Sequence, residues 1–174
     1  MVLRLLTLVS LLFLSQASLA QQLQTTPDDV PETCPITRAP ALPFIPPWPY
    51  PLKAGPGEFW FGTDSLWTAL RADGTWRGLP HYTPSDPTFR QKIAFWLRGY
   101  VVRREPQPKL TVTGRRLDSP APPLLADKIT NNAWVQRDQS FMGTGINLPT
   151  LGCWGEITGH YRDEELTFVV WVAE

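Results

Sequence analysis

The sequence is short of the side chains that most enzymes rely on. Across 174 residues there are only two histidines, two cysteines and two methionines, and charged residues make up 18%. Two histidines leave little room for a hydrolytic triad, and with two cysteines they are a poor donor set for zinc. No H-E-x-x-H, G-x-S-x-G or S-x-x-K pattern occurs. Asp163, Glu164 and Glu165 cluster without the glycine-punctuated spacing of a calcium loop, and Gly143-Thr144-Gly145 is too short for a phosphate cradle. No metal, no other cofactor and no enzyme activity is therefore expected. The remaining catalytic alternative is a hydrolase using His81, which precedes Tyr82 in a loop, since His160 is read as a solvated residue on a strand face.

Excess charge of one sign is missing too. Sixteen basic residues balance sixteen acidic ones, which excludes a generic nucleic-acid binder. An apolar content of 43% excludes a wholly disordered chain. Long hydrophobic runs are confined to the first 20 residues. There Val2 and Arg4 lead into the run from Leu5 to Leu14, and Ser18-Leu19-Ala20 offers small residues for cleavage. This reads as a signal peptide (residues 1–20) cleaved after Ala20, because the run is too short for a transmembrane helix. The expected mature chain of about 154 residues has no transmembrane segment, is secreted or periplasmic, and can form one domain with a core.

In an exported chain the two cysteines most simply form one disulfide, Cys34 to Cys153, 119 positions apart. A reactive thiol or a metal ligand is the alternative, although redox pairs usually stand closer in sequence. Residues 21–57 read as a flexible lead followed by a proline-rich arm, with ten prolines in thirty residues from Pro27 to Pro56. Proline has no amide donor and a fixed φ, so the arm is expected to run extended. Its interleaved Leu42, Phe44, Ile45, Trp48 and Tyr50 argue for contact with the domain rather than a free linker. Recognition by a proline-reading module is the functional alternative.

A β-rich domain is expected over residues 58–174. Glu58-Phe59-Trp60-Phe61 is strand-like, and Asp73-Gly74 signals a hairpin turn with Trp76 on the return strand. Pro87 to Gly99 fits either a capped helix or a strand with Ile93, Phe95 and Leu97 on one face, and the strand is preferred. Lys109 to Leu117 reads as a strand, with short strands near 132–135 and 140–142. Cys153 to Tyr161 and Leu166 to Val172 form a hairpin across a four-residue turn, Arg162 to Glu165. Its core face would carry Ile157, Gly159, Tyr161, Leu166, Phe168 and Val170, with Phe168 covering Gly159. Strict alternation puts Trp154 on the other face, whereas a bulge at Gly155 turns it inward.

The residues Leu148-Pro149, Gly152-Cys153-Trp154, Glu156-Ile157-Thr158 and Leu166 to Val172 resemble a group of secreted bacterial proteins of unknown function. Thr33-Cys34-Pro35 and the run Leu110 to Asp118 are similar to the same group. That group reads without a glycine between Trp and Glu, so the resemblance makes Gly155 an insertion. It implies a secreted β-sandwich and supplies no activity. The closing hairpin also resembles the last two strands of immunoglobulin-like sandwiches. The fold expected is therefore all-β, an immunoglobulin-like β-sandwich with an extended proline-rich N-terminal arm.

Two features remain as binding signals. Eight tryptophans are many for this length, and exposed indoles on a sheet face stack on sugar rings. Trp154 and Trp171 are the candidates, with Trp60 and Trp67 behind them; the alternative is that these rings are core or lie under the arm. A basic run, Arg98, Arg103, Arg104, Lys109, Arg115 and Arg116, is opposed only by Glu105 and would hold anionic polymers if it converged. Otherwise it is a solvated face that keeps a sheet edge from aggregating. The expected function is a non-enzymatic exported protein that works by surface contact, with an envelope polysaccharide as partner. An accessory domain that binds another envelope protein is the alternative, and the sequence leaves the oligomeric state open.

Overall fold

A computed structural model describes residues 30–136 and 139–174. The expected signal peptide and the start of the flexible lead lie outside the described residues. The described residues form ten strands: β1 (Glu58–Gly62), β2 (Leu66–Arg71), β3 (Thr75–Arg77), β4 (His81–Thr83), β5 (Asp86–Leu97), β6 (Thr111–Arg116), β7 (Leu125–Gln136), β8 (Gln139–Leu148), β9 (Gly152–Tyr161) and β10 (Glu164–Ala173). They make two sheets. The larger runs β1-β2-β5-β8-β7, with β4 also paired to β5, and the smaller runs β3-β10-β9-β6. No helix among the described residues is long and apolar enough to cross a membrane.

The core fills the space between the sheets. Period-two alternation directs Leu66, Ile93, Phe95, Leu97, Met142, Ile146 and Leu148 inward from the larger sheet. Val112, Trp154, Ile157, Tyr161, Leu166, Phe168, Val170 and Val172 face them from the smaller one. Each fully buried large side chain contributes about 1.5–3 kcal/mol against exposure. Gly159 belongs to this layer because a Cβ there would run into the Phe95 ring of the opposite sheet. The cover over Gly159 is therefore Phe95 rather than the expected Phe168, which pairs with Ile157.

The closing hairpin turns in two residues, Arg162 and Asp163, with Arg162 at φ 56°. Its register sets Tyr161 opposite Glu164, Gly159 opposite Leu166 and Ile157 opposite Phe168. That is two positions from the expected pairing. A shift of two preserves the face of every side chain, so the expected core face is the observed one. Toward the start of β9 the register slips against both neighbours. Phe168 pairs with Ile157 but Val170 with Trp154, and Thr113 pairs with Thr158 but Arg115 with Gly155. The extra residue therefore belongs to β9, at Gly155-Glu156, where Glu156 has φ 49°. This bulge turns Trp154 into the core, 0% exposed, with its indole N–H donating to the Thr150 carbonyl at 2.8 Å.

The strand preference for Pro87–Gly99 holds, since β5 runs twelve residues and pairs with β2, β4 and β8. The hairpin expected at Asp73-Gly74 does not form. The turn itself is present: Gly74 has φ 68° and its N–H donates to the Arg71 carbonyl at 2.9 Å. But β2 already has β1 on one side and β5 on the other, so the returning strand finds no free edge. β3 crosses instead to the other sheet and pairs in parallel with β10, Val172 opposite Trp76. The short strands expected near 132–135 and 140–142 are parts of the longer β7 and β8.

Residues 30–57 carry no strand and run along the outside of both sheets. The Cys34–Cys153 disulfide ties them to β9, and with Ile36, Leu117, Val169 and Trp171 it forms a small apolar cluster on the outer face of the smaller sheet. Thr37 then exchanges hydrogen bonds with Val169, N–H to carbonyl at 2.9 Å and hydroxyl from amide at 2.9 Å. Further on, Phe44 and Tyr50 pack on Trp67, and the Pro51 carbonyl accepts from the Trp60 indole at 3.0 Å. The segment thus passes from the outer face of one sheet to that of the other.

Candidate functional site

The tryptophans separate by what covers them. Trp154 is core, which removes it as a stacking surface; the cause is the β9 bulge. Trp171 is half-buried in the disulfide cluster with its indole nitrogen enclosed, so it is not an open platform either. Trp67 is 0% exposed beneath Phe44 and Tyr50, and Trp60 is buried beside Pro51. Trp48 and Trp134 are the rings left open to solvent, at 92% and 54% exposure. Neither was singled out from the sequence as a sugar-stacking candidate.

The basic run does not gather into one patch. Arg115 is paired with Glu156 at 2.6 Å, Arg116 with Asp118 at 2.6 Å, and Arg98 with Asp64 at 3.3 Å. Arg116 also donates to the Thr150 hydroxyl at 3.1 Å. Arg103 and Arg104 are exposed, with no ion pair among the described residues. They precede β6 while Arg115 and Arg116 end it, so a strand length of about 17–20 Å separates the two pairs.

The glutamate of this run is held by a different cluster. Tyr161 donates to the Glu105 carboxylate, Arg162 reaches it at 3.1 Å, and Tyr100 donates to the Glu105 carbonyl. The Tyr161 hydrogen bond holds the Glu105 carboxyl below its ordinary value. Burial, reinforced by this carboxylate, pushes both tyrosines up to about 12. The acid thus stays ionised and the phenols stay protonated through neutral pH, so none is poised for proton transfer. The cluster ties the connection between β5 and β6 to the closing hairpin. Because the folded-state value of Glu105 is depressed, its stabilisation is complete above the unfolded carboxylate value and is lost as pH falls through the folded one. Glu105→Gln is expected to lower the urea midpoint at pH 7, and the gap from the native chain is expected to narrow progressively as the pH is lowered toward 3. A gap independent of pH would contradict this.

His81 lies exposed on β4 with its ring 4.9 Å from that of Phe89. It has no hydrogen bond to a serine or carboxylate among the described residues. No group of three His, Cys, Asp or Glu side chains that could hold a metal is found among them.

A shaped site does occur on the outer face of the larger sheet, where β5, β8 and β7 lie side by side. Alternation sends Lys92, Ala94 and Trp96 of β5 outward, with Phe141, Gly143 and Gly145 of β8 and Asn132 and Trp134 of β7. Ala94 stands opposite Gly143 and Lys92 opposite Gly145, so the floor is almost bare of side chains. Around it the walls rise to enclose a cleft of about 380 Å³. Trp134 leans over Gly143, because a Cβ there would lie 3.5 Å from the indole nitrogen. Phe141 stands opposite Trp134 on β8 and packs on Trp96 at 5.3 Å. At the other end Arg90 is paired with Asp127 at 3.3 Å, half-buried Asn132 lines the floor, and Lys92 is exposed with no ion pair among the described residues.

A flat, small-residue floor, an indole leaning over it and a few polar groups have the chemistry that suits a ligand with an apolar ring face and a polar rim. The sequence did carry a signal for it. In the run Phe141-Met142-Gly143-Thr144-Gly145-Ile146 the even positions are core, so the two glycines share the other face and bring no side chain to it, with Gly143 half-buried and Gly145 buried. No family model matches the chain, and no curated protein or solved structure matches it.

Proposed function

We propose that the chain is an exported, non-enzymatic immunoglobulin-like domain that binds an envelope polysaccharide in the cleft between β5, β7 and β8. The observation that carries this reading is the half-exposed Trp134 leaning over Gly143 in a cleft that Ala94 and Lys92 also line. Support for the immunoglobulin-like type comes from strand order. β2-β5-β8-β7 corresponds to strands A-B-E-D, and β6-β9-β10 to C-F-G, with β3 crossing between the sheets. The proline-rich segment serves as an arm that covers Trp67 and leaves the neighbouring cleft open. Export is supported by the leading apolar run and by the disulfide, which suits an oxidising compartment.

The test is binding of the mature protein to insoluble peptidoglycan and cell-wall polysaccharide, comparing the native chain with Trp134→Ala. Loss of one stacking ring is expected to weaken binding about tenfold, or about 1.4 kcal/mol, with an unchanged unfolding midpoint. Equal binding by both proteins would remove the cleft from the mechanism. No binding by either would favour the accessory-domain reading.

A further inference from the structure

Among the described residues, four of the eight exposed large apolar side chains fall within one short stretch of the N-terminal segment. Leu42 is 87% exposed, Ile45 59%, Trp48 92% and Leu52 73%. Leu42, Ile45 and Trp48 recur every three residues and all open to solvent, an exposed apolar ridge along the segment. Phe44, Pro46 and Tyr50 turn the opposite way, toward the sheet. Trp48 stands at the tip of a turn in which the Tyr50 N–H donates to the Pro47 carbonyl at 3.1 Å. The ridge is held from behind by the rings on Trp67 and by Gln139, which donates to the Pro49 carbonyl at 2.8 Å. These side chains are therefore presented on a fixed support.

We propose that this ridge docks on a lipid surface bearing anionic headgroups. Three observations favour lipid over a protein partner. Between Glu32 and Glu58 the chain carries Arg38 and Lys53 and no acidic residue, a charge balance suited to anionic headgroups. The most exposed of these side chains is an indole, which settles at the boundary between headgroups and acyl chains. The backbone between these side chains is largely proline, at 43, 46, 47, 49 and 51. Prolines bring no N–H into hydrocarbon, where an unmet donor is costly, and they offer few donors to the polar rim of a protein interface. Behind the ridge a largely apolar cleft of about 450 Å³, walled by Pro43, Phe44, Leu52, Phe59 and Trp60 and lined also by Lys53 and Glu58, lies open to part of an acyl chain.

Flotation with vesicles tests this directly. The mature protein is expected to float with phosphatidylglycerol vesicles and less with phosphatidylcholine. Trp48→Ala is expected to reduce partitioning onto phosphatidylglycerol about tenfold. Arg38→Gln combined with Lys53→Gln is expected to erase the preference between the two lipids. The Trp134→Ala protein is expected to float like the native chain, which keeps this surface distinct from the polysaccharide cleft. A native protein that stays with the unbound fraction on phosphatidylglycerol, or a Trp48→Ala protein that floats equally well, overturns the proposal. Because Trp48 is almost wholly exposed, its removal leaves the fold in place, to be checked by an unchanged unfolding midpoint.

Discussion

Replacing both Cys34 and Cys153 with alanine is expected to lower the unfolding free energy by up to about 4–5 kcal/mol. The bridge spans 119 positions, so it removes a large loop-closure entropy from the unfolded chain. In the folded state it also anchors the proline-rich segment, which among the described residues is hydrogen-bonded to the smaller sheet through Thr37 and Val169. Both sulfurs lie in a buried cluster with Ile36, so the variant loses packing as well as connectivity. The check is a denaturant titration of oxidised, reduced and doubly substituted protein, in which the last two are expected to share a much lower midpoint. An unchanged midpoint after reduction would mean that the bridge contributes nothing to the folded state.

Trp154→Ala is expected to cost about 3–5 kcal/mol, the range for deleting a large core ring. The side chain is fully enclosed between the sheets, and its loss would leave a cavity and an unpaired Thr150 carbonyl. By contrast Trp134→Ala and Trp48→Ala should each stay within about 0.5 kcal/mol of the native chain, since both rings are largely open to solvent. Denaturation of the three variants side by side checks the sorting of the indoles. A mild effect at Trp154 would contradict the bulge that turns it inward.

Much of the fold could be read from residues because it is written in local alternation. The disulfide, the first strand from Glu58, the strand from Pro87 and the inner face of the closing hairpin all follow from patterns of a few residues. The hairpin register missed by two positions without cost, since only odd shifts exchange the faces of a strand. What alternation does not encode is which strands have free edges. Asp73-Gly74 makes the turn its sequence calls for, and the destination of β3 is decided by β1 and β5, which already flank β2.

The site was harder to read for the same reason. Whether an outward tryptophan is exposed depends on where residues 30–57 lie, and that path covers Trp67 and Trp60 while leaving Trp134 open. Along the chain the basic run is opposed only by Glu105, yet Glu156 and Asp64 reach Arg115 and Arg98 from distant positions. The signal that does exist, two glycines on one face of β8, is local, but Gly143-Thr144-Gly145 names no ligand by itself.

The most direct measurement is amide chemical-shift mapping of the mature protein titrated with soluble peptidoglycan fragments. Shifts are expected to gather at Lys92, Ala94, Asn132, Trp134, Gly143 and Gly145, and to vanish in the Trp134→Ala protein. Shifts centred instead on Trp171 and the Arg115–Arg116 end of β6, or none at saturating fragment, would contradict polysaccharide binding in this cleft.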